Sequence, residues 1–238
     1  MPAGVSCSIK PSSSRPVDVA AAAARRAAIE ERLPRGCRLL AVSKGQPVEA
    51  IRALAAAGQR SFAESRLQEA ISKQEQLADL PPLDWHFIGR LQANKVRPVL
   101  QRFSTIHSLD SLALAERLAR IAAEEHCTPA VFVQVKLLPD PAKTGFEPEE
   151  LRRLWPRLRQ LTPLRIIGLM TMAPLGLQPQ ELQSLFAAAA ALASELGLPE
   201  LSMGMSGDWQ QAAAAGSTWV RIGSALFGDR PGPVKLPR

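Results

Sequence analysis

The sequence predicts a single α/β domain, a (β/α)8 TIM barrel with an N-terminal leader helix. Short apolar runs alternate with amphipathic segments almost to the end of the chain, and eight such runs can be counted. The length, 238 residues, suits one such barrel. No GxGxxG follows the first apolar run, as a doubly wound dinucleotide-binding sheet would require.

Residues 1–16 are rich in Ser and Pro and read as a flexible leader without the hydrophobic core of a signal peptide. The alanine-rich stretch that follows is broken by Arg25 and Arg26, which suits a surface helix over Val17–Leu33. Arg38 to Ser43 is the first strand: its apolar residues are continuous, and Gly45 and Pro47 stop it. A helix opens at Pro47, places Ile51 and Leu54 on its apolar side and stops at Gly58. Arg60–Ala63 is the second strand, followed by a helix through Leu67, Ile71 and Leu77. Asp84–Ile88 is the third, leading through Gly89 to a helix starting near Asn94.

Thr105–His107 is the fourth strand, before a long helix over Asp110–Glu125. The fifth, Ala130–Val135, is the clearest because β-branched residues dominate it. A loop with Pro139, Pro141 and Gly145 leads to a helix over Glu149–Gln160. Arg165–Leu169, Glu200–Met203 and Thr218–Ile222 complete the strands, with helices over Pro179–Leu196 and Asp208–Ala215 between them. The barrel domain is expected over residues 17–230, and the Pro-rich residues 231–238 form a flexible tail.

Apolar residues make up 46% of the chain, enough for a substantial core, yet no run approaches the roughly eighteen apolar residues of a membrane span. Cys7, Cys37 and Cys127 are widely separated, which argues for a reducing compartment, the cytoplasm, and against a disulfide framework or a metal site. The net charge of +7 is spread along amphipathic segments without a dense run. That favours a solvated surface biased toward anionic ligands over nucleic-acid binding.

In a barrel, residues at the carboxyl ends of the strands converge on one mouth. Lys44 ends the first strand there, where a desolvated ammonium would have a lowered pKa and form a Schiff base with an aldehyde; by itself it also reads as an ordinary exposed lysine. Glu64 and Ser65 follow the second strand, and Gly89 and Arg90 the third. Gly204-Met205-Ser206-Gly207-Asp208 follows the seventh, and Gly223-Ser224 the eighth. Barrels often bind phosphate with the loops after strands seven and eight, using backbone amides. Each piece has a plainer reading: Gly223-Ser224 as a strand-to-helix turn, Ser206 as an N-cap. Arg221 is either a salt-bridging residue or, by strand alternation, an inward-pointing one. A phosphate cradle facing a strand-end lysine suits a phosphorylated aldehyde, of which pyridoxal 5′-phosphate (PLP) is the common one.

Several stretches resemble the pyridoxal-phosphate homeostasis protein family, which is similar to the barrel domain of alanine racemase. They are Ala41-Val42-Ser43-Lys44, Trp85 to Lys95, Lys143-Thr144-Gly145-Phe146, Gly168-Leu169-Met170, Leu201 to Ser206, and Val220 to Gly228. They run in the family's order over residues 38–230. The resemblance implies that Lys44 forms the internal aldimine, that Ser206, Gly223 and Ser224 bind the phosphate, and that Arg221 faces the pyridine nitrogen; Met205 is placed among the cofactor-binding residues. Phe62-Ala63-Glu64-Ser65 departs from the family, which usually has Gly before the Glu and Asn after it. Ser65, placed among the cofactor-binding residues, replaces one hydrogen bond of that Asn but not its amide geometry. Lys136 likewise stands where Asn is usual.

An arginine at the pyridine nitrogen disfavours a second positive charge on the ring, which weakens the cofactor as an electron sink. Racemisation needs acid/base groups on both faces of the substrate Cα. In the alanine racemase family the partner of the lysine is a tyrosine from a second domain; this sequence has no tyrosine and reads as ending with the barrel. No catalytic residue is therefore assigned. The expected function is a monomeric carrier that holds PLP and maintains its supply, with PLP-dependent enzymes or a regulatory protein as partners. The alternatives are a racemase using His86 or His107 as an unconventional second base, and a partner-binding regulator. Both histidines also read as packed or hydrogen-bonded residues, and Lys143 as a solvent-facing lysine or a second aldehyde acceptor.

Overall fold

A computed structural model describes residues 19–140 and 143–228. The expectations for residues 1–16 and 231–238 lie outside the described residues. Eight parallel strands close into a barrel in sequence order, β1 pairing with both β2 and β8. They are β1 (Arg38–Val42), β2 (Ser61–Glu64), β3 (Asp84–Phe87), β4 (Thr105–Leu109), β5 (Ala130–Gln134), β6 (Arg165–Met170), β7 (Glu200–Ser202) and β8 (Trp219–Ile222). Every predicted strand is present, within about two residues at each end.

Leu40 and Val42 of β1, Ala63 of β2, Phe132 of β5, Met170 of β6 and Trp219 of β8 pack inside the barrel. The alternate positions, among them Leu39, Ala41, Phe62 and Ile106, pack outward under the helices. A leader helix, α1 (Val19–Glu30), buries Ala22 and Ile29 against this outer layer. Arg25 Nε donates to Leu226 O at 2.6 Å, and Arg26 Nη1 to Ala57 O at 2.6 Å, tying α1 to two other segments.

The helices after the strands are α2 (Val48–Ala56), α3 (Leu67–Gln76), α4 (Val96–Leu100), α5 (Leu112–Glu124), α6 (Pro148–Leu158), α7 (Pro179–Glu195), α8 (Trp209–Ala214) and α9 (Ser224–Phe227). In α2 the expected Ile51 and Leu54 are fully buried. Helix α3 is turned differently from its hydrophobic pattern: Ile71 is only half-buried, whereas Ala70 and Lys73 face the barrel. Lys73 is there for its charge, as the site shows. Among the described residues, no helix is long and apolar enough to cross a membrane, and no cluster of His, Cys, Asp and Glu is arranged to hold a metal ion.

Candidate functional site

The strand ends bring most of the predicted residues to one side of the mouth. Leu40 pairs with Arg221 and Ala41 with Ile222, so the chain beyond β1 that carries Lys44 emerges beside Gly223 and Ser224. On the other flank Val42 pairs with Ala63, and Ser43 N donates to Ala63 O at 3.0 Å, which sets Lys44 beside Glu64 and Ser65. Gly89 packs directly on Ser65: a Cβ at residue 89 would lie 2.1 Å from the Ser65 carbonyl oxygen. Only glycine lets the loops after β2 and β3 meet this closely.

Lys44 itself is exposed. The protein alone therefore does not supply the desolvation expected from its place at a strand end. The residues just beneath it are different. Ser43 and Glu64 are fully buried, and Ser43 Oγ donates to Glu64 Oε1 at 2.7 Å. Lys73 Nζ, from α3, donates to Ser43 O and Glu64 Oε1 at 2.7 Å and to Glu69 Oε1 at 2.6 Å. Glu69 in turn accepts from the backbone amide of Gly45. Two bonds from one helix thus clamp the residues on either side of Lys44. Burial pushes the Glu64 carboxyl up, against the opposing pull of Lys73 and Ser43, and its Oε2 is buried with no hydrogen-bond partner among the described residues.

On the β8 flank of Lys44, the amides of Gly223 and Ala225 converge on one acceptor, Ser206 Oγ, at 3.3 and 3.5 Å. Ser206 thus serves the start of α9 on the neighbouring strand's loop; Asp208 is the residue that precedes α8, and its Oδ1 accepts from Met205 N at 2.5 Å. Met205 is half-buried beside this turn. The turn depends on Gly204, whose φ is +91° and whose added Cβ would meet Ala212 Cβ at 2.6 Å.

Arg221 points into the barrel, 4% exposed. Its Nη1 donates to Ser202 O at 2.6 Å and Ser202 Oγ at 2.8 Å, and its Nη2 to Thr171 O at 2.9 Å. The guanidinium therefore bridges the ends of β6 and β7 just below the mouth. Burial pulls its pKa down to about 10, opposed by the charge of Asp208, so it remains a cation at neutral pH. Lys143 is not solvent-facing: it is half-buried, and its Nζ donates to Ala173 O at 3.0 Å.

His86 and His107 are both buried and bonded to each other, His86 Nδ1 to His107 Nε2 at 2.9 Å. They lie in the barrel interior, below the strand-end residues. Sequence reasoning took each separately and missed Lys73, Glu69 and Ser202 altogether. The third position of β3 and of β4 was the available signal for the pair, since both strands alternate and are neighbours.

Residues 17–231 match the family model described as the alanine racemase N-terminal domain. The pyridoxal phosphate homeostasis protein of Synechocystis sp. is 50% identical over 204 residues, 83% of this chain and 94% of the relative. That of Pseudomonas aeruginosa is 45% identical over 194 residues, covering 81% and 84%. The chain belongs to the pyridoxal phosphate homeostasis protein family. Among solved structures, PipY of Synechococcus elongatus with PLP bound shares 52% identity at a TM-score of 0.84, covering 87% of this chain and 100% of that one. An alanine racemase from Bartonella henselae with covalently bound PLP superposes at a TM-score of 0.72 with 19% identity, over 92% of this chain and 62% of that one. At that identity the likeness is one of fold alone.

Proposed function

We propose that this protein binds PLP at the mouth and contributes to its intracellular homeostasis, holding it as a Schiff base on Lys44 without catalysing a reaction of its own. The observation that carries the reading is the pairing of the clamped lysine after β1 with the converging amides after β8, in a chain 52% identical to PipY with PLP bound. The residues fit the group. The Gly223 and Ala225 amides make long bonds to Ser206 Oγ, against about 2.9–3.0 Å for a well-made N–H···O bond. A phosphate oxygen approaching them would be a better-placed and charged acceptor.

Ser206, Gly223 and Ser224 would hold the phosphate, with Met205 beside them and Ser65 on the far flank of Lys44. Arg221 would face the ring nitrogen. PLP supplies, when bound, an aldehyde for the lysine amine and a ring able to accept electrons. A permanent cation at Arg221 opposes protonation of the ring and so holds that second capacity low. The histidines that a racemase would need as a second base are bonded to each other inside the barrel. This supports the carrier reading over the racemase. Exposure of Lys44 suits release of the cofactor to PLP-dependent enzymes, from a cytoplasmic, monomeric carrier.

The test is an absorbance titration with PLP alongside solvent exchange of the alanine Cα proton. The proposal expects a Schiff-base band that is lost in Lys44→Ala, and no Cα exchange above that of free PLP. Exchange that is lost on replacing His86 or His107 would instead establish the racemase.

A further inference from the structure

One chain of hydrogen bonds crosses the barrel interior from the face opposite the mouth. Asp84, the first residue of β3, is partly exposed there and its Oδ2 lies 2.6 Å from His86 Nε2. His86 Nδ1 lies 2.9 Å from His107 Nε2 on β4. His107 Nδ1 lies 2.8 Å from Ser202 Oγ at the end of β7, and Ser202 Oγ accepts from Arg221 Nη1 at 2.8 Å. The chain is closely packed. His107 stacks on Phe132 with ring centroids 4.3 Å apart, and His86 meets the edge of Trp219, over which Arg38 lies.

The chemistry of the two ends fixes the direction of every proton between them. Asp84 is a carboxylate and only accepts, so His86 Nε2 carries a hydrogen. Arg221 only donates, so Ser202 Oγ must accept from it and send its own hydrogen elsewhere. Among the described residues, the acceptor in reach of that hydroxyl is His107 Nδ1. His107 Nδ1 is then bare, and its Nε2–H donates to His86 Nδ1. The opposite arrangement would place an imidazolium at His86 and leave the proton of a fully buried hydroxyl, Ser202, without an acceptor. Burial, together with the charge of Arg221, holds His107 well below the usual histidine range, which agrees with its being neutral.

We propose that Asp84, His86, His107 and Ser202 are positioning residues: a one-directional relay of neutral imidazoles and a hydroxyl that runs from Asp84 to the Arg221 guanidinium and fixes it for the ring of the cofactor. Its link to the cofactor rests on the proposed role of Arg221; the relay itself does not. A cation at one end and an anion at the other polarise every intervening bond in the same sense, which strengthens each of them.

Long-range proton–nitrogen spectra of the cofactor-free protein test the relay directly. Of the three histidines, exposed His126 is identified with His126→Gln. His86 and His107 are both expected as neutral rings with hydrogen on Nε2. A doubly protonated ring, or hydrogen on Nδ1 in either, would overturn the relay. Coupling to the site is read from PLP dissociation constants of Asp84→Asn, Arg221→Lys and the double variant. Asp84→Asn, remote from the mouth, is expected to weaken PLP retention about fivefold, and the double variant to fall short of the product of the two single effects. Effects that multiply would overturn the coupling. Ser202→Ala should repeat the loss and Ser202→Thr, which keeps a hydroxyl, restore it; equal behaviour of the two would also count against the proposal. A wild-type protein that binds no PLP would sink the cofactor reading, and the imidazole spectra would still decide the relay.

Discussion

Lys73 Nζ donates to the backbone carbonyl of Ser43 at 2.7 Å, so a buried lysine of α3 holds the residue immediately before the exposed Lys44. The same ammonium pairs with fully buried Glu64 and with Glu69, whose carboxylate binds the amide of Gly45. A flexible lysine on a loop would be a poor partner for the Gly223 and Ala225 amides proposed to hold a phosphate. Clamping the backbone on both sides leaves Lys44 only its own side-chain freedom.

Lys73→Ala is therefore expected to act twice. It leaves Glu64 buried without its cation, a change that costs about 3 kcal/mol. It also frees the Lys44 loop, so PLP retention should fall even at temperatures where the variant is folded. Denaturant unfolding and PLP titration check the two effects separately. Adding Glu64→Gln to Lys73→Ala should return part of the stability, because the fully buried carboxylate is then gone.

Gly204→Ala is expected to destabilise the protein by about 2 kcal/mol, since a positive φ and a Cβ 2.9 Å from Trp209 Cα both oppose it. The displaced turn carries Ser206, so weaker phosphate retention should accompany the lower unfolding midpoint. A variant of wild-type stability would contradict the close packing of this turn on α8.

Arg221→Ala removes the donor for the carbonyls of Ser202 and Thr171 in a buried site, at a cost of about 2 kcal/mol. Arg221→Lys keeps the charge but not the fork and should recover only part of that loss. Chemical denaturation of the cofactor-free variants measures this without reference to binding.

Asp84 gives the fold a specific acid response. Burial acts to raise its pKa, but the hydrogen bond from His86 and the charge of that ring when protonated, with bonds from Ser104 and Ser61, outweigh it and hold the group at about 2, against an ordinary 3.8. A depressed carboxyl contributes stability that is fully present above its unfolded pKa and is lost as pH falls through the folded one. Between about pH 4 and pH 2 the wild-type protein should lose stability that Asp84→Asn does not have to lose. Parallel acid limbs for the two proteins in pH-dependent denaturation would contradict this assignment.

The barrel was legible because each strand is short, apolar and closed by a turn residue, as Val42 is by Gly45 and Ile222 by Gly223. The mouth followed from strand ends alone, which is why Lys44, Ser206 and Gly223 could be named together. What the pattern hid was polar and buried. Lys73 sits in a helix whose Ile71 drew the hydrophobic face toward the wrong side, and its bonds to Glu64, Glu69 and the Ser43 carbonyl make its burial intelligible. His86 and Ser202 lie far apart in sequence, and their linkage through His107 is a property of barrel closure. Lys44 is exposed, as its plainer reading had it, because a strand end is not by itself a desolvated one.

The measurement that tests the central claim most directly is borohydride reduction of the protein with PLP, followed by peptide mapping. A reduced adduct on Lys44, absent from Lys44→Ala, is the predicted result. An adduct on Lys143 or another lysine, with Lys44 unmodified, would contradict the account.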